Sequence, residues 1–242
     1  MIKNLLSHAC NSIALHLRKP KKFAVREMLA KMYLTGSGIE IGALHQPLKL
    51  KKGVHVKYVD RMSVEELHGH YPDSKDLNIR VDIVDNGEEL SKFENNSLDF
   101  IIINHMLEHC QNPLGTVRNH LKKLKTGGIL YISIPDKRHT FDVKRELTSF
   151  EHLVEDDICG PQNSRYNHFV EWSRFCINAP EEKIAERAQK LMARDFSIHF
   201  HVWDFSSFKD FLNKACGYLG DSFKTRNLKK NGREIIAILQ KV

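Results

Sequence analysis

Short apolar runs that end at polar or turn residues recur along the chain and predict the strands of one sheet. The run LDFIIIN at 98–104 is apolar at four consecutive positions. Such a run is typical of a strand buried on both faces of a parallel sheet. Similar runs and alternating patterns predict further strands at 37–42, 54–60, 79–85, 129–135, 196–203 and 234–242.

Apolar residues at three- and four-residue spacing predict helices between these strands. One helix is predicted to begin at Asn112-Pro113, because proline suits the first helical position, and to end at Gly127-Gly128. Its apolar face comprises Leu114, Val117, Leu121 and Leu124. Two further helices are predicted, one beginning at Pro180 and one covering DFSSFKDFLNKAC at 204–216.

Two capping boxes mark further helix starts. Ser63 with Glu66 and Thr148 with Glu151 each have the spacing at which the hydroxyl and the carboxylate bond free backbone N–H groups reciprocally. Helices are therefore predicted directly after Ser63 and after Thr148.

The alternation of strands and helices predicts an α/β fold with a doubly wound, seven-stranded, mostly parallel sheet. After Pro135 this alternation stops, and residues 136–200 are predicted to be a helical insertion after the fifth strand that covers the ligand edge of the sheet. Residues 1–35 are predicted to form an N-terminal helical extension, and residues 36–242 the α/β domain that carries the insertion.

Composition narrows the class of protein. The 242 residues are 41% hydrophobic and 28% charged, which suits one large globular domain. Since no apolar stretch reaches the ~18 residues of a membrane span, no transmembrane segment is expected. The formal charge of +7 permits anionic partners, but the basic residues are scattered, so nucleic acid is not expected. Five widely spaced cysteines without a CxxC pair indicate free thiols in a reducing cytoplasm.

The stretch GIEIGALHQPL at 38–48 indicates a nucleotide-like ligand at the end of the first strand. In open α/β sheets the ligand lies at the carboxyl ends of the strands, where Gly42 and Asp60 are predicted. An acidic residue at the position of Asp60 suits the two hydroxyl groups of a ribose.

The same stretch argues against a dinucleotide. A pyrophosphate needs a glycine-rich turn, but Leu44 and Gln46 stand where further glycines would be, and Glu40 would repel phosphate groups. A cationic adenosine compound without phosphate fits better. The predicted cofactor is therefore S-adenosylmethionine, with Glu40 suited to its ammonium group.

Four segments resemble the class I S-adenosylmethionine-dependent methyltransferases: EIGA at 40–43, YVDR at 58–61, LDFIIINHMLEH at 98–109 and LKKLKTGGILYISIPDKR at 121–138. The chain is most similar to the bacterial subgroup associated with surface-polysaccharide assembly. The resemblance covers residues 36–138 and, more loosely, HFHVWDFSSF near the C-terminus. It implies a Rossmann-like methyltransferase fold.

The resemblance also implies cofactor contacts at the ends of the first four strands. It assigns the methionine side to Glu40, Gly42 and Ala43, the ribose and adenine edge to Asp60 and Arg61, the adenine to Asp82 or Asp85, and the reacting methyl group to Asn104 and His105.

A rival pattern overlaps the fourth strand. His105, Glu108 and His109 match H-x-x-E-H, the inverted zinc-peptidase pattern, in which both histidines bind zinc and the glutamate acts as base. The pattern directly follows a buried strand and its helix is short, so a zinc hydrolase remains the less favoured alternative. His199 and His201 are expected to share one face of a strand, but two histidines alone make a poor metal site. No metal ligand is therefore predicted.

Methyl transfer to a sugar hydroxyl benefits from a general base, and histidine is the usual one near neutral pH. The predicted catalytic candidates are His139, His109 and His201, of which His139 lies at the carboxyl end of the fifth strand. Groups predicted to hold an anionic, carbohydrate-like acceptor are Lys137, Arg138, Lys144, Arg145, Phe141, Tyr166 and Trp172.

These observations favour a cytoplasmic enzyme that methylates a sugar, a nucleotide-sugar or another polysaccharide precursor, on a hydroxyl or a phosphate-type oxygen. The alternatives are an RNA or protein methyltransferase and a non-catalytic S-adenosylmethionine-binding subunit. The acceptor is expected to be a small carbohydrate-like or phosphorylated molecule, and a homo-oligomer is compatible with the sequence.

Overall fold

The computed structural model describes residues 20–70 and 76–242, so most of the predicted N-terminal extension lies outside the described residues. Its strands are β1 (Ser37–Ile41), β2 (His55–Asp60), β3 (Ile83–Val84), β4 (Leu98–Asn104), β5 (Leu124–Pro135), β6 (Phe223–Asn231) and β7 (Glu234–Lys241). They form one seven-stranded sheet in the order β3-β2-β1-β4-β5-β7-β6.

Helices cover both faces of this sheet. They are α1 (Pro20–Tyr33), α2 (Val64–His70), α3 (Pro113–Lys123), α4 (Phe150–Cys159), α5 (Gln162–Phe175), α6 (Ile184–Ala193) and α7 (Phe205–Tyr218). Short 3-10 helices lie at Leu107–His109, Lys137–His139, Phe141–Lys144 and Glu181–Lys183. In the part of the chain that the structure describes, no helix is long and apolar enough to cross a lipid bilayer.

The sheet topology confirms the predicted fold class. β3, β2, β1, β4 and β5 pair in parallel, whereas β7 lies antiparallel between β5 and β6. The strand order reverses between β1 and β4, because β2 and β3 continue on one side and β4 and β5 on the other. This is the switch point at which open α/β sheets bind ligands.

The sheet core has two faces, as the apolar run in β4 predicts. Ile101 and Ile103 pack in the cluster that contains apolar residues of α3 and α7, while Phe100 and Ile102 pack in the cluster that contains residues of α1. All four side chains are fully buried. α1 is thus part of the packed core of the sheet.

The predicted strand at 196–203 is wrong, and the sixth strand is β6. Residues 196–203 are buried, but their backbone groups bond to loops: Phe200 N–H donates to the Glu108 carbonyl at 2.7 Å, and Val202 N–H donates to Thr148 Oγ1 at 2.9 Å. Every residue from Ile198 to Trp203 is buried, polar and apolar alike, so the alternation does not mark a strand with one exposed face. β6 was not predicted because its exposed positions are polar.

The predicted helix starts are mostly confirmed. Ser63 and Glu66 form the reciprocal capping box, Asn112 caps α3 before Pro113, and Asp204 caps α7. The second capping box is wrong, because Ser149 caps α4 by accepting from His152 N–H at 3.2 Å. α3 ends at Lys123, so Gly127 and Gly128 lie within β5.

The predicted insertion 136–200 contains α4, α5 and α6. A third apolar cluster lies within it, built from Phe169, Trp172, Ala188, Ile198 and Phe200. Asp195 connects this segment to the sheet edge, because one of its carboxylate oxygens pairs with Arg61 at 3.1 Å. The role of this segment as an acceptor cap stays a prediction.

Candidate cofactor and acceptor site

Gly42 ends β1 at the switch point in a conformation that leaves space beside the backbone. Its φ is +66°, in the left-handed region that glycine adopts without strain, and a Cβ placed there would meet no atom within 4 Å. Gly42 N–H donates to the Val59 carbonyl at 2.9 Å, which fixes the turn to β2. The open space fits a ligand that passes close to the backbone of Gly42 and Ala43.

Glu40 is fully buried in the middle of this region. Leu48 N–H lies 3.1 and 3.0 Å from its two carboxylate oxygens, and Asn104 Nδ2 donates to Oε1 at 3.1 Å. Burial raises the pKa of Glu40 to about 7. Glu40 thus holds the loop after β1 against the end of β4, and its direct contact with an ammonium group stays a prediction.

Asp60 ends β2 and is half-buried. Its Oδ1 accepts from Met62 N–H at 3.2 Å, and burial raises its pKa. Arg61 is exposed and pairs with Asp195 of the inserted segment. The carboxyl ends of β1 and β2 therefore bring Gly42 and Asp60 to one edge of the sheet, as predicted.

The two candidates for the adenine contact lie at opposite ends of the short strand β3. Asp85 follows the strand and is buried, and its carboxylate accepts from Asn86 N–H, Ser91 Oγ and Lys92 N–H, each at 2.9 Å. Asp82 precedes the strand and bonds Tyr58 N–H and Arg80. Of the two, only Asp85 lies at the carboxyl edge, where open α/β sheets bind their ligands.

Asn104 and His105 follow β4. Ser133 Oγ donates to Asn104 Oδ1 at 2.9 Å, and His105 has a left-handed φ of +53°. The His105 ring lies between two carboxylates, with Nε2 3.0 Å from Glu234 and Nδ1 3.4 Å from Glu108. Burial opposes the charged imidazole, but these two carboxylates raise the pKa of His105.

Next to His105 lies a second group of ionisable side chains: Glu108, His109, His199 and Asp142. The His109 and His199 rings meet edge to face, with centroids 4.6 Å apart. His109 Nδ1 lies 2.9 Å from the Ile198 carbonyl, and His199 Nδ1 lies 2.7 Å from Asp142 Oδ2. Burial lowers the pKa of His109 to about 4, so this imidazole is neutral near pH 7.

Asp142 was not predicted from the sequence. Burial disfavours its carboxylate, but His199 and Arg145 hold the pKa of Asp142 below its usual range. The pairing depends on how residues 196–203 cross over the 3-10 helix Phe141–Lys144, and residue spacing does not encode that crossing.

The three histidines predicted as catalytic lie in different surroundings. His139 is exposed, in the 3-10 helix that follows β5. His109 lies beside His199. His201 is fully buried against His152 and His168, and burial lowers its pKa well below the usual value. The strand on which His199 and His201 were predicted to share one face is absent, and the two rings contact different partners.

The geometry does not support the zinc-peptidase pattern. Residues 107–109 form one 3-10 turn, and His105 precedes it in a left-handed conformation, so the two histidines are not one α-helical turn apart. His105 is directed to Glu108 and Glu234, whereas His109 bonds the Ile198 carbonyl.

A family model described as a methyltransferase domain matches residues 26–215. The chain belongs to this methyltransferase family. The match begins within α1 and ends within α7, so it includes the carboxyl ends of β1 to β5. No curated protein matches the chain significantly.

Solved structures share the fold of this methyltransferase at low sequence identity. A Rhodobacter sphaeroides protein, provisionally described as a Zn-dependent alcohol dehydrogenase, has a TM-score of 0.56 at 12% identity, and the match covers 93% of this chain and 90% of that protein. A complex of the Haloferax volcanii Trm112 methyltransferase activator with a provisionally assigned methyltransferase has a TM-score of 0.52 at 12% identity, covering 98% and 97%. A SAM-dependent methyltransferase from Aquifex aeolicus has a TM-score of 0.48 at 11% identity, covering 96% and 98%. Identities this low show the fold alone.

The cofactor of this methyltransferase is S-adenosylmethionine, and the chain offers a site that fits it. The open space beside Gly42, the carboxylate of Asp60 and the loop held by Glu40 lie together at the switch point. The residues that would hold the cofactor are Gly42, Ala43, Asp60, Asp85, Asn104 and His105. The structure brings all of them to the carboxyl edge of the sheet.

Proposed function

We propose that this methyltransferase transfers the methyl group to a hydroxyl of a carbohydrate-like small molecule, such as a sugar, a nucleotide-sugar or another polysaccharide precursor. The observation that carries the proposal is the Asp142–His199 pair, whose Oδ2 and Nδ1 atoms are 2.7 Å apart. It lies beside His109 and Glu108, which follow β4, the strand whose end carries Asn104 and His105.

A hydroxyl is a weak nucleophile at neutral pH, so its proton must leave as the new bond forms. The cofactor supplies an electrophilic methyl group. His199 can take the hydroxyl proton on its second ring nitrogen, because Asp142 holds Nδ1 in the protonated tautomer and stabilises the imidazolium that results. His199 is 8% exposed, so the imidazole retains a small accessible area.

The surroundings of His199 suit a sugar. The half-buried Phe141 places an aromatic ring 4.7 Å from its centroid, and a flat apolar face of this kind can pack against a sugar ring. Trp172, 5.9 Å away, is buried in the third apolar cluster and supports this region from within. Lys137, after β5, supplies positive charge near the same edge for a phosphorylated acceptor, and the exposed Arg138 beside it is paired with Asp136. Arg145 does not, because it is buried and paired with Asp142 and Glu171.

The test is transfer of a labelled methyl group from S-adenosylmethionine by the purified full chain. The acceptor panel contains nucleotide-sugars, sugar phosphates and oligosaccharides, with bulk RNA and denatured protein as competing classes. We expect methyl transfer to a member of the sugar classes, with the label resistant to mild base as expected of an ether. Transfer only to RNA or protein, or cofactor binding without transfer to any acceptor, would contradict the proposal.

The role of His199 is tested with His199→Gln beside His139→Gln. We expect kcat to fall at least about a hundredfold in His199→Gln, the usual contribution of a general base, with little change in cofactor affinity. His139 was favoured by topology alone, so the second variant decides between the two histidines. A large loss confined to His139→Gln would assign the base to His139 instead.

A further inference from the structure

Three side chains of the predicted insertion and His201, which directly follows it, converge on one point. His152 and Asp156 are four residues apart on α4, His168 lies on α5, and His201 lies in the buried segment that precedes α7. One ligand atom of each residue lies within 4.8 Å of the ligand atoms of the other three. The three imidazole rings contact one another, with centroids 5.0 to 5.5 Å apart.

Three of the six distances between the ligand atoms are close to those of a tetrahedral metal site, and the other three are at most 4.8 Å. His152 Nε2 lies 3.1 Å from His168 Nε2 and 3.3 Å from Asp156 Oδ2, and His201 Nε2 lies 3.8 Å from the same oxygen. Zinc–ligand bonds of about 2.0–2.1 Å at tetrahedral angles place ligand atoms about 3.3 Å apart. The four groups therefore need only small shifts to surround a zinc ion.

The hydrogen bonding of the cluster is incomplete without a cation. Asp156 is 2% exposed, and its Oδ2 atom has no hydrogen-bond partner. A hydrogen bond between His152 Nε2 and His168 Nε2 would link these two histidines but leave Asp156 and His201 outside it. The nearest groups to this oxygen are His152 Nε2 and His201 Nε2, which can pair with it only when protonated. A divalent cation would instead satisfy the carboxylate and all three neutral imidazoles at once.

Outer contacts hold two of the ligands in place. Ser164 Oγ donates to Asp156 Oδ1 at 2.6 Å, which leaves Oδ2 directed at the histidines. His168 also hydrogen-bonds the backbone of Phe200. Such contacts to the atom that does not ligate are typical of metal-binding carboxylates and imidazoles.

We propose that His152, Asp156, His168 and His201 bind one structural zinc ion. Four protein ligands leave no open position, so the ion acts on the fold and does not activate water. It would fasten α4 and α5 to residues 196–203, the segment that also carries His199. The metal would thereby fix the wall of the acceptor site from its far side.

The test is the metal content of the full chain after equilibration with zinc and removal of loosely bound metal on a chelating resin. We expect about one zinc ion per chain by mass spectrometry, as a closed four-ligand site requires. Asp156→Asn and His168→Ala should each lower the bound zinc at least tenfold. The matched control is His120→Gln, since His120 is equally buried but bonds the Gly87 carbonyl at 2.7 Å, outside the cluster.

Cobalt substitution tests the coordination without relying on variants that fold poorly. Wild-type protein loaded with cobalt(II) should show the intense visible absorption of a tetrahedral ion, and His168→Cys should add a thiolate-to-cobalt band in the near ultraviolet. Wild-type protein that retains no zinc, a weak octahedral cobalt spectrum, or equal zinc in Asp156→Asn and His120→Gln would each overturn the proposal. None of these readouts depends on methyl transfer, so they stand apart from the acceptor assay.

Discussion

At the scale of single residues, Glu40 is a buried carboxylate that holds together two segments predicted to contact the cofactor. Its two oxygens accept hydrogen bonds from Leu48 and Asn104, so it links the loop after β1 to the end of β4. Its charge is costly in this position, and burial raises its pKa to about 7. The charge at the cofactor site therefore changes within the physiological pH range.

This pKa predicts that affinity for S-adenosylmethionine falls below pH 7. With a pKa of about 7, Glu40 is mostly protonated below pH 7 in the free protein. A cationic ligand binds better to the ionised carboxylate. The affinity lost to Glu40 should approach tenfold for each pH unit below that value. Calorimetry between about pH 5.5 and 8.5, comparing wild type with Glu40→Gln, isolates this contribution. Parallel pH profiles for the two proteins would show that Glu40 does not titrate in the cofactor site.

Asp60 gives a second prediction at this scale. Asp60→Ala should weaken S-adenosylmethionine and its demethylated product at least about tenfold, because one hydrogen bond from a ribose hydroxyl to a charged group is lost. Asp99→Ala is the matched control, since Asp99 bonds Ser37 N–H and Lys125 at the opposite end of β1 and β4. Equal affinities of the two variants in calorimetry would remove Asp60 from the site.

The site residues that could be predicted from the sequence are those at strand ends, because the carboxyl ends of parallel strands all lie at the same edge of the sheet. Gly42, Asp60 and Asn104 are found at the carboxyl edge for this reason. Asp142 with His199, and His152 with His168 and His201, could not be predicted. Their partners are brought together by the path of an irregular segment, which no periodicity describes.

At the scale of elements, a buried ion pair joins α1 to the C-terminal strand. Arg26 on α1 donates through Nε to Glu234 at 2.9 Å and through a terminal nitrogen to the other oxygen, at the first residue of β7. Both residues are buried, and Glu234 also contacts His105 at the end of β4. The first helix of the described chain therefore supports His105, which is predicted to border the cofactor.

Breaking this pair should destabilise the fold. Arg26→Met should lower the free energy of unfolding by about 3–5 kcal/mol in urea denaturation, because it leaves a buried carboxylate without its main partner. The double variant Arg26→Met/Glu234→Met should recover much of this loss. The control Lys190→Met breaks an exposed pair with Glu186 and should leave the midpoint unchanged. A midpoint equally unchanged in Arg26→Met would show that α1 is held by apolar contacts alone.

The pair also predicts acid sensitivity. Burial disfavours the Glu234 carboxylate, but His105 and Arg26 hold its pKa well below the usual range. The stabilisation is therefore complete above the ordinary pKa of a glutamate and is lost as the pH falls below it.

Helices and strands were predicted best where burial alone sets the order of apolar and polar residues. β4 is apolar because both of its faces are buried, and α3 and α7 show one apolar stripe each. β6 was missed because it lies at the edge of the sheet with few apolar positions. Residues 196–203 were mistaken for a strand because apolar and polar residues alternate there, as they do in a half-exposed strand.

At the scale of the whole molecule, the cofactor should stabilise the entire described fold, because its site draws on β1 to β4 at once. The demethylated cofactor at 100 times its dissociation constant should add about 2.7 kcal/mol to the free energy of unfolding. The corresponding rise in melting temperature is measured by calorimetry of the full chain, with NAD as the matched control. Equal shifts with NAD would mean that the edge accepts a pyrophosphate after all.

The two edge strands of the sheet, β3 and β6, bear on whether molecules of this protein can associate at high concentration. On one side β3 has only two residues, and on the other β6 exposes Lys224, Arg226, Lys229 and Lys230 beside an irregularity at Thr225–Asn227. Charged, interrupted or very short border strands are poor templates for strand addition from a second molecule. Self-association by extension of the sheet, including growth into fibrils, is therefore disfavoured at both borders.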